Sequence, residues 1–190
     1  GKYGPYEKEY IHKDGHLVPV ILNGVAVIGS DNEAYTWSSI HDITDRKQVE
    51  LREKSRSHVL ELITSDEELP VILESIIRGV EEENLVMLCS ILLLDVESKH
   101  LLSGAAPSLP NFYNKAINGI EIGLEFGSCS AAAFTNERVI VEDIQKSPYW
   151  TSYKELASKA RLKACWSEPI RSTKGKVLGT FAVYHHEIYQ

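Results

Sequence analysis

Cysteine is scarce in this chain. Cys89, Cys129 and Cys165 are the three, odd in number and far apart. That rules out a disulfide framework, and the missing Cys-x-x-Cys pair leaves no zinc-ribbon signature. A reducing cytoplasm is the expected home. Long apolar runs are also missing. Ile91–Leu94 typifies the longest, against the about 20 residues a spanning helix needs. The polar first residues do not read as a secretory signal. Positive charge is in deficit, with 20 Lys and Arg against 27 Asp and Glu and a net charge of −7. No basic stripe offsets it, so a general nucleic-acid binder is excluded and no nucleic-acid partner is expected. What is present is ordinary globular composition, 43% hydrophobic and 25% charged. The 190 residues suffice for one or two small domains.

The stretch Ile120–Glu187 organises the rest. It reads as a short glycine-framed helix over Ser128–Thr135, a strand, a loop, a longer helix and two strands, Ala164–Ile170 and Val177–Tyr184. Val, Phe and Tyr in the last strand suit a pleated surface. Ser172–Lys176 supplies a polar turn with a glycine between the two. Such a hairpin with a helix before it has one apolar face to cover, which predicts an α+β fold.

The segment 1–45 has a different character. Tyr6–Ile11 alternates as a strand, and Asp14-Gly15 sits in a hairpin turn before Leu17–Leu22. Val25–Ser30, a turn at Asp31-Asn32-Glu33 and a strand Tyr35–Asp42 complete a meander. Fewer than fifty residues of half-covered strands bury little core by themselves. Asp45 with Gln48 has capping-box spacing for a helix over residues 46–63. Its middle, Arg52–His58, is polar, so the helix is either a solvated linker or a signalling helix that pairs with its twin.

A second helix starts between Ser65 and Pro70. Leu69, Ile72, Leu73, Ile76, Ile77 and Val80 give it one apolar face. Glu81-Glu82-Glu83 opposes the helix dipole and predicts a frayed, solvated end. Val86–Asp95 is nearly all apolar, as in a strand covered on both faces, with Cys89 a small buried hydrophobe. His100–Leu102 returns as a strand, residues 103–110 form a loop, and residues 111–118 form a short helix.

Four runs carry a family resemblance. Gly127-Ser128-Cys129, Val141–Ile144, Ala164–Ile170 (ACWSEPI) and Gly175–Phe181 (GKVLGTF) are similar to those of GAF sensor domains. The resemblance is to the subgroup found in bacterial multidomain signalling proteins, beside PAS domains and upstream of histidine kinases or cyclic-di-GMP enzymes. Glu9–Gly15 (EYIHKDG) and Asp42–Lys47 (DITDRK) resemble the C-terminal part of a PAS domain, without that family's earlier strands and helices. The resemblance implies residues 1–45 as the end of a PAS domain, 46–64 as a linker helix, and 65–190 as a GAF domain with an antiparallel sheet flanked by helices. It implies no catalysis in this segment, a homodimer through the linker helices, and an output domain in cis. Two alternatives stand beside the sensor: a GAF-type free methionine sulfoxide reductase using Cys129, and a ligand-free dimerisation spacer.

GAF domains hold small ligands between the sheet and the helices and loops on one face. Here that cover implies Phe112, Tyr113, Phe126, Ser128, Cys129, Trp150, Tyr153, Trp166 and Glu168 as candidate pocket residues. Glycine then serine at a helix start leaves free N–H groups, which suit an anion or a carbonyl. A cysteine in that place gains reactivity. Glu168 meets a ligand cation, pairs internally with Arg138 or Arg161, or is solvent-exposed. Of the seven histidines only His100, His185 and His186 fall in this region as conceivable haem ligands, and His185 and His186 point to opposite faces of a strand. The sequence assigns no cofactor.

Overall fold

The fold was analysed in a computed structural model, which describes residues 1–30 and 32–188. The chain divides into two compact units, residues 1–54 and 55–190. Asp31 of the expected second turn lies outside the described residues.

The first unit is an antiparallel sheet of three strands, β1 (Lys2–Ile11), β2 (Leu17–Ile28) and β3 (Ala34–Asp42), in that order. The meander is as expected, but Leu17–Leu22 and Val25–Ser30 join as one long strand. The β1–β2 turn pairs Ile11 with Leu17 and places Gly15 at φ 88°, a conformation only glycine adopts freely. The core is thin: Val20 and Ile43 are buried, while Ile11, Ile28 and Trp37 stay about three-quarters exposed. Helix α1 (Thr44–Thr64) starts in this unit and ends in the second. Its start is set by Asp42, whose carboxylate accepts from Thr44 N at 2.8 Å and Thr44 Oγ1 at 2.6 Å. Asp45, expected as the cap, lies within the first turn instead. Lys47 and Arg46 both bond the Glu7 carboxylate and hold it below the usual carboxylate range, Lys47 most strongly.

The second unit is built on six antiparallel strands in the order β6-β5-β4-β9-β8-β7. They are β4 (Met87–Leu94), β5 (His100–Ala105), β6 (Ile120–Glu121), β7 (Val139–Val141), β8 (Ala164–Arg171) and β9 (Val177–His185). Central β4 pairs with β5 on one side and with β9 on the other. Its apolar run serves two cores. Cys89 and Ile91 pack with Leu73 and Ile77 of α2 (Leu69–Glu83). Leu92 packs in the larger core with α3 (Asn111–Ile117), α4 (Ser128–Thr135) and α5 (Lys154–Lys159). Period-two alternation makes this division automatic.

Pro70 decides where α2 begins. The helix starts at Leu69, with Glu68 at the cap position making no side-chain bond, and Ser65 Oγ instead donates to Glu61 O at 2.8 Å. The acidic end does not fray into solvent. Glu81 Oε1 accepts from Cys89 N at 2.8 Å, and Oε2 accepts from Ser108 Oγ at 2.6 Å. Glu81 therefore ties helix, central strand and the loop after β5 together. The expected long helix before β8 is a 3-10 turn, Pro148–Trp150, followed by the six-residue α5. Proline suits a first helical turn but interrupts a helix interior.

Candidate functional site

The candidate site lies in the larger core of the second unit, between β4, β8 and β9 and the elements α3, α4 and the 3-10 turn. Gly127 makes the entry to α4 possible. It adopts φ 98° and ψ 169°, donates from its N–H to Tyr149 O at 2.7 Å, and accepts at its carbonyl from Ala131 N. Few residues other than glycine take that backbone. An added Cβ would make only ordinary contact with the Trp150 ring, at 3.9 Å, so the backbone angle and not crowding calls for glycine. The turn at Gly127 aims Ser128 and Cys129 at the sheet, both buried.

A chain of polar groups runs through this otherwise apolar core. Cys129 Sγ is 3.3 Å from Ser167 Oγ on β8 and 3.6 Å from Tyr184 OH on β9. Tyr184 OH reaches Ser90 Oγ on β4 at 3.2 Å. Cys165 Sγ lies 3.9 Å from Ser167 Oγ. Tyr113 stacks edge-on against Tyr184, ring centres 5.9 Å apart. Burial raises the Tyr113, Tyr184 and Cys165 groups well above their usual ranges, so all three stay protonated. Burial, helped by the Glu81 charge, pushes the Cys89 thiol to about 12 on the opposite face of the sheet.

Beside this chain is a cavity of about 10 Å³, the room of a single water. Tyr113, Phe126, Ser128, Cys129, Trp150 and Tyr153 line it, all of them expected from the sequence. Tyr184, Leu92, Ile117 and Ile120 line it as well and were not anticipated. Three expected residues are elsewhere. Phe112 is on the outer side of α3, under Lys159 Nζ at 5.0 Å. Trp166 and Glu168 point to the opposite face of β8 from Cys165 and Ser167, by strand alternation. Trp166 packs there against His185, ring centres 5.4 Å apart. Glu168 pairs with Arg138 at 2.5 Å and Arg171 at 3.3 Å, which together hold its carboxyl below the usual range, Arg138 chiefly. Internal pairing of Glu168 is thus correct for Arg138.

The first serines of α4 tie the helix to its neighbours and do not cap its own N–H groups. Ser128 Oγ accepts from Trp150 Nε1 at 2.8 Å. Ser130 Oγ accepts from Gly123 N at 2.7 Å and lies 2.7 Å from Glu121 O. Of the histidines, His185 at the end of β9 is buried, and His186, just beyond the strand, is exposed. His186 Nδ1 sits 2.8 Å from Arg161 O, and His100 pairs with Asp95 at 3.0 Å. Among the described residues no helix is long and apolar enough to cross a membrane.

A six-stranded antiparallel sheet with helices on both faces and a core closed beneath α4 defines an α+β fold of the GAF type. The GAF domain family model matches residues 66–190, and the chain belongs to that family. It is 45% identical over 146 residues to the methyl sulfide methyltransferase-associated sensor of Methanosarcina acetivorans, across 77% of this chain. The chain spans 15% of that relative's length. Among solved structures, it is similar to the GAF domain of a Coxiella burnetii phosphoenolpyruvate-protein phosphotransferase (TM-score 0.58, 15% identity, 75% of this chain and 79% of that one). It is also similar to free methionine-R-sulfoxide reductase from Neisseria meningitidis in complex with its substrate (TM-score 0.56, 19% identity, 80% of each chain). At these identities the likeness is one of fold.

Proposed function

We propose that residues 65–190 are the input domain of a signal-transduction protein and sense a small, mainly apolar ligand beneath Phe126, Trp150 and Tyr153. The observation that carries this reading is the row Ser90–Tyr184–Cys129–Ser167, whose middle members Tyr184 and Cys129 line an aromatic-walled cavity. Ligand sites are mostly apolar with a few placed polar groups. The lid side chains now fill the space, so a ligand enters by displacing them. Central β4 offers a route outward, since Ser90 and Leu92 face the site while Cys89 and Ile91 pack on α2. Occupancy would bias α2 and α1, and through them an output domain elsewhere in the parent protein, either a histidine kinase or a cyclic-di-GMP enzyme. On this reading the helix over 46–64 pairs with its twin in a homodimer, and residues 1–45 are the end of a PAS domain.

Redox chemistry at Cys129 is the weaker reading. Its only thiol neighbour on this face, among the described residues, is Cys165, which burial keeps protonated. Cys89 lies on the other face and is pushed to about 12. A resolving thiol must reach its thiolate to attack.

The test is native mass spectrometry with a visible spectrum of the purified chain, followed by titration with dimethyl sulfide. That probe is chosen because the Methanosarcina acetivorans relative is a methyl sulfide methyltransferase-associated sensor. A bound molecule, a chromophore band or saturable uptake of the probe supports the sensor. A bare, colourless chain that takes up nothing favours the spacer. Turnover of free methionine sulfoxide that disappears in Cys129→Ser would replace it with the reductase.

A further inference from the structure

We propose that the β1–β2 hairpin carries a divalent transition-metal site made by His12, Asp14 and His16. One nitrogen from each imidazole and one carboxylate oxygen lie within 4.8 Å of one another. His12 Nδ1 is already 3.2 Å from Asp14 Oδ2. The two imidazole rings face each other at 4.5 Å with a 30° tilt.

The turn itself produces this arrangement. His12 N donates to His16 O at 2.8 Å, and Gly15 N donates to His12 O at 2.8 Å. The two histidines therefore oppose each other one residue beyond the last strand pair, Ile11 with Leu17, which puts their side chains on one side. Asp14, two residues from each, curls back over the same side. A tetrahedral zinc with bonds of about 2.0–2.2 Å spaces its donors about 3.3 Å apart. The His12–Asp14 separation meets that figure, and a side-chain rotation of exposed His16 supplies the rest. Two nitrogens and one oxygen suit zinc, nickel or copper; calcium and magnesium prefer all-oxygen shells. The fourth position faces solvent, because all three residues are exposed. An ion here would clamp the two long strands of a unit whose core is thin.

Calorimetric titration of the tag-free, chelator-stripped 190-residue chain with Zn²⁺ tests the site. One saturable zinc per chain is expected, unchanged in His41→Ala and His58→Ala and abolished in His12→Ala and His16→Ala. Asp14→Asn should weaken binding by about tenfold or more, the scale seen when a metal-ligand shell is disturbed. Mg²⁺ should give no saturable heat. Far-ultraviolet melting of each metal-free variant checks that the fold persists, which the exposure of these side chains favours. Absence of saturable zinc binding by the unaltered chain overturns the proposal. So does equal affinity in the His12→Ala/His16→Ala double variant, which would place the ion elsewhere.

Discussion

Trp150 Nε1 donates a 2.8 Å hydrogen bond to Ser128 Oγ, and both residues are buried. The bond fastens the 3-10 turn, and with it one wall of the cavity, to the first residue of α4. Trp150→Phe keeps the ring near the cavity but leaves the Ser128 hydroxyl without that donor. A buried hydroxyl stripped of a partner costs about 1–3 kcal/mol. Trp150→Phe combined with Ser128→Ala should recover part of that loss, since no orphan remains. Urea unfolding of the two single variants and the pair measures the coupling. Additive effects would mean that the bond does not join the two elements.

Glu81 should behave as a structural tether although it sits in an acidic run. It accepts from Cys89 N and Ser108 Oγ. Glu81→Ala removes the acceptor from both and should lower stability by about 1–3 kcal/mol. Glu82→Ala, on the exposed side of α2, should stay within about 0.5 kcal/mol. Equal urea midpoints for the two variants would contradict the tether.

These two cases show which features were legible in sequence. Helix α4 was expected over Ser128–Thr135 and is found there, because Gly127 marks its start and small residues fill its interior. The strands of both hairpins were readable from alternation and turn chemistry. Glu81 was not, because its partners lie 8 and 27 residues away. Tyr184 was missed for the same reason, meeting Cys129 across 55 residues. Trp166 and Glu168 were placed in the pocket through their position in the family motif. The alternation of β8 contradicts that, since Cys165 and Ser167 already occupy the inward face. The longer helix expected before β8 is found only as a 3-10 turn opened by Pro148 and the six-residue α5.

Stability of the second unit should fall as pH drops below about 6.5, the unfolded histidine value. Burial lowers His185 below that value in the folded state. The unfolded chain therefore binds the proton first, and stability rises with pH across that window. Its contribution is fully present above the unfolded value and is lost as pH falls through it toward the folded one. The depressed carboxyls of Asp95, Asp143 and Glu168 act in a separate window. Their contribution persists above about pH 4 and is lost only below it. Urea midpoints at about pH 7.5 and 5.5 should differ for the unaltered chain, and His185→Gln should flatten that difference. A slope unchanged by the substitution would assign the effect to other histidines.

Gly79 should prove irreplaceable only while Ser55 faces it. A Cβ built at Gly79 in α2 would stand 1.9 Å from Ser55 Oγ and 3.1 Å from Ser55 Cβ in α1. The two helices meet at this point because neither residue has bulk there. Alanine is favoured over glycine within a helix by about 0.8–1 kcal/mol, so Gly79→Ala would stabilise an uncrowded helix. Here the clash opposes the gain, and Gly79→Ala should destabilise the unaltered chain. In a Ser55→Gly background the obstructing side chain is gone, and the same change should stabilise by about 0.5–1 kcal/mol. The sign reversal is what a four-variant urea cycle reads. Gain in both backgrounds would show a looser crossing, one through which α2 could not drive α1. Reversal would establish the tight contact that the proposed relay from the sheet to α1 requires.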